Sequence, residues 1–483
     1  MKNIKFIYKY LIFLMVASFT SCQLTKDIDD YENLYTLNAF DAISDANSAE
    51  LALVGVYSGF KQRSTASGLP ELFILPSILS GVGTNNNPND VELQGYVTNN
   101  PIPQGSRSNL GAYTRMYDLV NRCNWLIQGM NDLDSSEFSD PDRHAEILAE
   151  TKAMRATANF YLLRLWGQFY DSNSMYGIDV RTTPALSNEA FPRNSVTETY
   201  DIILEDLDEA ITNAPDFISK LDMSKVYAKA LKAKVLLYKG DYTQAATLAK
   251  DVIDNSGSNF ALAPTYAEIF DNTTDATFNS TEYVFITGGG PGVFIGIENF
   301  WGGFFAAPSP TFTGLIASGV TDVNGQLISY DGDRVSSMFG FTNFKFGRPY
   351  PRIYHLRMAE IYLIFAEANA RANNSVTSDA LGALNMVRLR AGATTTGGDG
   401  FETYPATISL AQFLDAVRIE KMVEISGESG EEWFDLVRYH FVDGFDVTTI
   451  KESATNPDKY ILPIDLQTIE AGGNVIEQNP GYN

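Results

Sequence analysis

Cysteine is almost missing from this chain: 483 residues contain only Cys22 and Cys123. That excludes a disulfide framework, so the fold must be held by packing. Histidine is nearly as scarce. His144, His355 and His440 stand apart, with no H-E-x-x-H spacing and no C-x-x-C pairs, and this argues against a catalytic zinc site. Positive charge is also in short supply, with 35 Lys and Arg against 59 Asp and Glu and a formal net charge of -24. A surface this acidic repels phosphates, which excludes nucleic acid as a partner and leaves neutral ligands unaffected. Hydrolase and nucleotide signatures are absent too. The GESG at Gly427 is not a G-x-S-x-G elbow, and the GGGPG at Gly288 is not followed by G-K-[ST]. Acids are too numerous for any carboxylate pair to be informative. No catalytic residue, metal ligand or cofactor is assigned.

What is present suits a folded protein: 45% of residues are hydrophobic and 19% charged. The N-terminus reads KNIKFIYKY, LIFLMVA, SFTSC, which has the order of an export signal over residues 1–21, and its apolar run is too short to span a bilayer. Losing Lys2, Lys5 and Lys9 with that signal takes the net charge from -24 to -27. The stretch resembles the signal of bacterial lipoproteins, in which the cysteine at this place, here Cys22, is acylated after cleavage; Phe19 makes the match looser. Residues 22–40 are polar and acidic and suit a tether.

The rest of the chain, 41–483, reads as helical pairs interrupted by two irregular stretches. The pairs are expected at about 47–130, 144–212, 224–254 and 357–391. In the first, Leu51, Val54 and Tyr57 share a face. Tyr113, Tyr117, Val120, Asn124 and Ile127 share another, and Ile147, Ala153, Ala156, Phe160, Leu163 and Trp166 line the long helix that follows. The unit from Ser224 is the clearest: Tyr227, Leu231, Val235 and Tyr238 stack, Gly240 ends the helix, and Ala245, Ala249 and Val252 line the next. Ala233, Gly240, Tyr242 and Ala245 fall where a tetratricopeptide repeat has its small residues and turn. In the 357–391 pair the first helix carries two apolar stripes, through Met358 and Phe365 and through Leu363 and Ala366, so it must be sandwiched. Its partner has Ala380, Leu384, Val387 and Ala391 on one side, with Ser378 or Asp379 available as cap. The irregular stretches, about 66–111 and 255–350, are rich in Gly, Asn and Pro and are read as loops, with short hairpins at Asn324-Gly325 and Asp331-Gly332. Residues 411–443 predict a helix, a bend and a helix, and the end of the chain an extended tail.

Several phrases together resemble one family. RMAEIYLIFAEANAR, ALGALNMVRLRAG, EEWFDLVRYH and the terminal ILPIDLQTIE with QNPGY, along with MRATANFYLLRLWG and DLDEAI, are similar to SusD/RagB outer-membrane lipoproteins of the Bacteroidetes, with the C-terminal signature at 411–483. One departure stands out. The family's Glu-Arg pair is here Glu420-Lys421, and the run before Trp433 is one residue longer, which bears on packing there. The resemblance implies a mainly α, SusD-like fold with tetratricopeptide-like pairs as scaffold and a loop-rich face for the ligand. It implies a non-catalytic, cell-surface protein that binds oligosaccharide and sits as a lid on a SusC-like TonB-dependent transporter. Asp27, Asp29 and Asp30 after Cys22 resemble surface-export signals. The alternative is a peptide- or protein-binding module of the same system with no sugar site.

A binder of neutral sugars needs flat apolar faces and nearby amides or carboxylates. Trp125, Trp166 and Trp433 sit in helical patterns and read as core. Trp301 does not: it lies in a Gly-rich loop with Phe300 and Phe304, and reads either as a stacking face or as an aromatic anchoring the loop. In the first irregular stretch Tyr96, with Asn85, Asn86, Asp90 and Gln94, is the candidate second platform, set against ordinary turn chemistry for the asparagines. DVNGQLISYDGD at 322–333 lacks the closing Glu of a calcium loop and reads as a hairpin.

Overall fold

A computed structural model describes residues 42–60, 71–105, 111–187, 189–270, 278–288, 306–310, 312, 320–321, 327–328, 334, 345, 352–391 and 403–482. Residues 1–41, with the expected leader, Cys22 and the expected tether, lie outside these. The described chain is mainly helical. Helices α1 (Ala46–Gly59), α2 (Glu71–Ser80), α3 (Val91–Val97), α4 (Thr114–Asp132), α5 (Arg143–Trp166), α6 (Val196–Asn213), α7 (Lys225–Lys239), α8 (Tyr242–Asn255) and the short α9 (Tyr266–Ile269) form the first half. In the second half come α10 (Met358–Asn373), α11 (Ser378–Arg390), α12 (Leu410–Glu424), α13 (Glu431–Asp443) and α14 (Leu466–Ala471).

Successive helices pack side by side: α1 on α4, then α4, α5, α6, α7, α8 and α10 in turn, with α11 and α12 also on α10. That is the arrangement expected of stacked helical pairs. The stripes through Tyr227, Leu231, Val235 and Tyr238 and through Ala245, Ala249 and Val252 are buried. Gly240 holds the turn between α7 and α8 at φ +90°, a left-handed backbone that costs a side chain about 1–2 kcal/mol. Both stripes of α10 are buried, so this helix is enclosed as its sequence requires.

Four readings need correction. Leu51 and Val54 are 73% and 64% exposed; α1 instead buries Ala49, Leu53, Val56 and Tyr57, the stripe one step round the helix. The cap of α11 is Thr377, whose side chain accepts from Ala380 N at 3.1 Å, rather than Ser378 or Asp379. The tail is not simply extended. It contains α14, and Asn479 Nδ2 donates to the Trp166 and Leu462 carbonyls at 2.8 and 2.6 Å. Finally, 66–111 is not a loop: it holds α2, a strand and α3. Every residue of α2, ELFILPSILS, is buried, so it lacks the polar face that makes a helix visible in sequence.

The core carries an unusual load of paired charge. Glu431 at the start of α13 receives Arg164 from α5, Lys234 from α7 at 2.5 Å and the Tyr238 hydroxyl at 2.6 Å. Lys234 also meets Glu360 of α10 at 2.7 Å. Arg438 forks onto Glu367 at 2.5 and 2.7 Å and reaches Asp435 at 2.8 Å. Lys421, at the place where the resemblance implies arginine, pairs with Asp435 at 2.8 Å and lies 3.9 Å from Glu431, so this point cation belongs to the network. In the run before Trp433, Gly427 and Gly430 are both left-handed, at φ +73° and +81°. A second cluster joins Arg357 to Glu428, Glu282 and Glu424 at 2.6, 2.9 and 3.1 Å, with Arg390 on Glu424 at 2.5 Å. Burial pushes Glu431 up, but Lys234, Arg164 and Lys421 outweigh it and hold the carboxyl far below its ordinary range. Glu424, likewise opposed by burial, is pulled down to about 2 by Arg390 and Arg357.

Removing one partner of such a pair strands the other without water. Glu431→Gln should therefore destabilise the protein by about 3–5 kcal/mol in chemical denaturation, whereas Glu209→Gln, whose carboxylate meets Lys152 at the surface, should cost under about 1 kcal/mol. Glu432 behaves differently. It is buried, accepts from Ser77 Oγ and from Gly427 N at 3.0 Å, and its pKa is raised from 4.5 to about 7 by desolvation. A raised carboxyl favours the fold only while protonated, so its contribution is present below the unfolded pKa and lost as pH rises through about 7. Denaturation midpoints of Glu432→Gln should match the wild type near pH 4.5 and exceed it at pH 8.

Candidate functional site

The second irregular stretch is rooted on a buried ribbon. Strand β2 (Tyr283–Gly288) pairs antiparallel with β6 (Arg352–Arg357), from Tyr283 opposite Arg357 to Gly288 opposite Arg352. The residues of β6 and all but the last of β2 are buried. The sequence between the two strands therefore leaves and re-enters the body at one place. Arg352 locks the exit by donating to the Tyr283 hydroxyl at 2.9 Å and lying 4.9 Å from the Phe278 ring centre. His355 in β6 is stacked on Phe285 with ring centres 4.8 Å apart, and burial drives its pKa down to about 3, which favours the neutral ring.

Within the stretch, β3 (Ala306–Pro308) crosses to the other irregular region. It pairs with β1 (Gly83–Asn85) in the register Gly83 with Pro308, Thr84 with Ala307 and Asn85 with Ala306. Ser309 closes the junction. Its N–H donates to the Val82 carbonyl at 2.8 Å, its hydroxyl donates to the Gly81 carbonyl at 2.5 Å, and the same oxygen accepts from Phe312 N at 3.0 Å. Sequence reading passed over Ser309, although a serine directly after A-A-P and before P-T-F is a recognisable cap. A further hairpin joins β4 (Val320–Thr321) to β5 (Leu327–Ile328), straddling Asn324-Gly325 as that dipeptide predicts.

On the β1 side the turn is built by its own side chains. Asn85 Oδ1 accepts from Asn87 N at 2.8 Å, and Asn85 Nδ2 donates to the Asp90 carbonyl at 3.2 Å. Asp90 caps α3 by accepting from Leu93 N at 3.0 Å. These are the turn roles weighed against ligand contact, and they hold Asn86 and Gln94 at the exposed surface of the junction. Tyr96 corrects the expectation. It is 1% exposed on the inner side of α3, one turn after Leu93, and so offers no open ring face. Beyond it the turn is tied to the tail: Asn99, at φ +50°, donates to the Leu79 carbonyl at 3.0 Å and accepts from Ser453 Oγ at 2.7 Å. Trp301, Phe300 and Phe304 lie outside the described residues, as does Asp331-Gly332. Trp166 and Trp433 are buried as expected, and Trp125 is partly buried. Among the described residues no group of three or more His, Cys, Asp or Glu is placed to hold a metal ion.

Comparison with known proteins agrees with this architecture. The family model described as "SusD family" matches residues 345–449, and one described as "Starch-binding associating with outer membrane" matches residues 82–237. The SusD-like protein P38 of Formosa agariphila is 26% identical over 255 residues, which is 52% of this chain and 46% of that protein's own length. A SusD superfamily protein from Bacteroides vulgatus superposes with a TM-score of 0.73 at 22% identity, covering 91% of this chain and 100% of that one. A laminarin-binding SusD-like protein superposes at 0.66 with 21% identity, again covering 91% and 100%. With the family matches falling on both the helical scaffold and the C-terminal signature, and the fold shared over nine-tenths of its length, the chain belongs to the SusD/RagB family.

Proposed function

We propose that this protein is a non-catalytic binder of neutral oligosaccharides, held at the outer membrane through a lipid on Cys22, that passes its cargo to a SusC-like TonB-dependent transporter. In this reading residues 1–21 are the leader, 22–40 the tether and 41–483 a single binding unit. The observation that carries it is the β1–β3 pairing. Two strands more than 200 residues apart in the chain are joined, with Asn85 opposite Ala306. Trp301 precedes Ala306 by five residues, a length of chain that spans at most about 18 Å. In this reading Phe300, Trp301 and Phe304 supply the flat apolar face, and Asn86 and Gln94, exposed beside β1, supply the amides. The laminarin-binding relative and the starch-binding description of the matched family support the ligand class. The net charge of -24 favours an uncharged cargo.

Shallow sites bury little area and bind short sugars weakly, so single stacking contacts carry much of the affinity. Trp301→Ala should weaken glycan binding by about 1–3 kcal/mol in calorimetry, the range of other aromatic stacks; unchanged affinity removes Trp301 from the site. Silence on a glycan array together with hits in a peptide library would favour the peptide-binding alternative. Cys22→Ala should abolish palmitate labelling in cells and release the protein from the membrane fraction. Retention of label would refute the anchor.

A further inference from the structure

A hollow of about 490 Å³, with no lining residue from the β1–β3 junction, lies between the first half of α4, the segment 179–190 and α14. One wall is aromatic. The partly exposed Tyr117 ring packs against Tyr113 with centres 4.8 Å apart and planes at 57°, and Tyr113 in turn meets Trp166 at 5.1 Å. Facing it is a polar edge. Arg181 Nε donates to Asp179 Oδ2 at 2.8 Å, and the guanidinium also holds the Glu189 carbonyl at 3.0 Å and lies 4.3 Å from the Phe191 ring centre. Asn121 uses its side-chain oxygen to accept from Ala185 N at 2.8 Å, which leaves its amide hydrogens as donors.

The hollow is braced open. Buried Asn124 donates to the carbonyls of Arg181 and Thr183 at 3.1 and 3.0 Å. Arg155, paired with Asp206 at 2.7 Å, reaches the Thr182 carbonyl at 3.3 Å. On the far side α14 touches the segment, since a Cβ at Gly472 would come within 2.8 Å of Ala190 Cβ. The small residues Ala185, Ala190, Ala471 and Gly472 leave the space unfilled. A wall tied by buried side chains has little ordering left to lose when a ligand enters.

We propose that this hollow is a second saccharide subsite, taking one or two neutral sugar rings. Its volume falls in the range of small-molecule sites. The Tyr117 face suits the C–H side of a pyranose, while Asp179, Arg181 and Asn121 supply an acceptor and donors for hydroxyls. Asp179 and Glu189 repel anions, and the ion pair penalises a wholly apolar guest. The proposal rests on the glycan-binding reading above.

The test uses the full chain with laminarihexaose, maltohexaose and xylohexaose in calorimetry. Four forms are compared: wild type, Trp301→Ala, and each of Tyr117→Ala and Ala471→Trp added to Trp301→Ala. Ser187→Trp, on the exposed rim, serves as a second blocking variant should Ala471→Trp lower the melting temperature. Trp301→Ala should retain weaker binding to at least one probe, and blocking the hollow or removing Tyr117 should reduce that remainder at least tenfold. If the remainder is indifferent to both changes, or no remainder exists, the subsite is refuted while the glycan reading stands. If no probe binds the wild type, both readings fall.

Discussion

Charge buried without water is the constraint on which this structure rests. Glu431 gathers a cation from α5 and another from α7, and Lys234 carries the connection on to Glu360 of α10. Helices far apart in sequence are thereby held to one relative position, because any shift leaves a desolvated charge unmatched. Apolar packing alone would not be so exacting, since oily faces of similar size can slide past one another. Arg357 does the same for the sheet, fastening β6 to Glu282 ahead of β2 and to Glu424 and Glu428 near the end of α12. The acidic signature before Trp433 is thus an internal clamp.

The clamp has a consequence for binding. The ribbon of β2 and β6 is where the long irregular stretch departs and returns, and it is anchored directly in the ion network. Between the two strands of that rigid root, β3 pairs with β1. Ser309 and the Asn85–Asp90 turn complete the junction with hydrogen bonds that need no helix. The same logic operates at the hollow beside α4, where Arg155 and Asn124, themselves core residues, reach out to fix the backbone of the segment from 180 to 183.

Much of the scaffold was legible. Wherever a helix has one buried side, as in α7 and α8, the spacing of Tyr227, Leu231 and Val235 or of Ala245 and Ala249 declared it. The doubly striped α10 declared its enclosure. Where burial is complete the periodic signal vanishes, and α2 with Pro76 inside it passed for loop. On α1 two stripes compete, and Leu51, Val54 and Tyr57 look as apolar as Ala49, Leu53 and Val56. Only the neighbouring α4 and α5 decide which side is covered. The candidate site was half legible: composition marked both irregular stretches, but Tyr96 was taken for a surface ring because its short helix went unseen.

The sequence by itself determined the class of fold, through its helical period, and the exclusion of a disulfide framework, through its composition; the family came from the likeness of whole phrases along the chain. Only the tertiary structure decided which charges are partners, that residues 83–85 and 306–308 form one ribbon, that Tyr96 faces inward, and that α4, residues 179–190 and α14 enclose a hollow. Those facts depend on distances between residues far apart in the chain. Local propensity carries no information about them until the whole core has closed and removed the water that would otherwise satisfy each group separately.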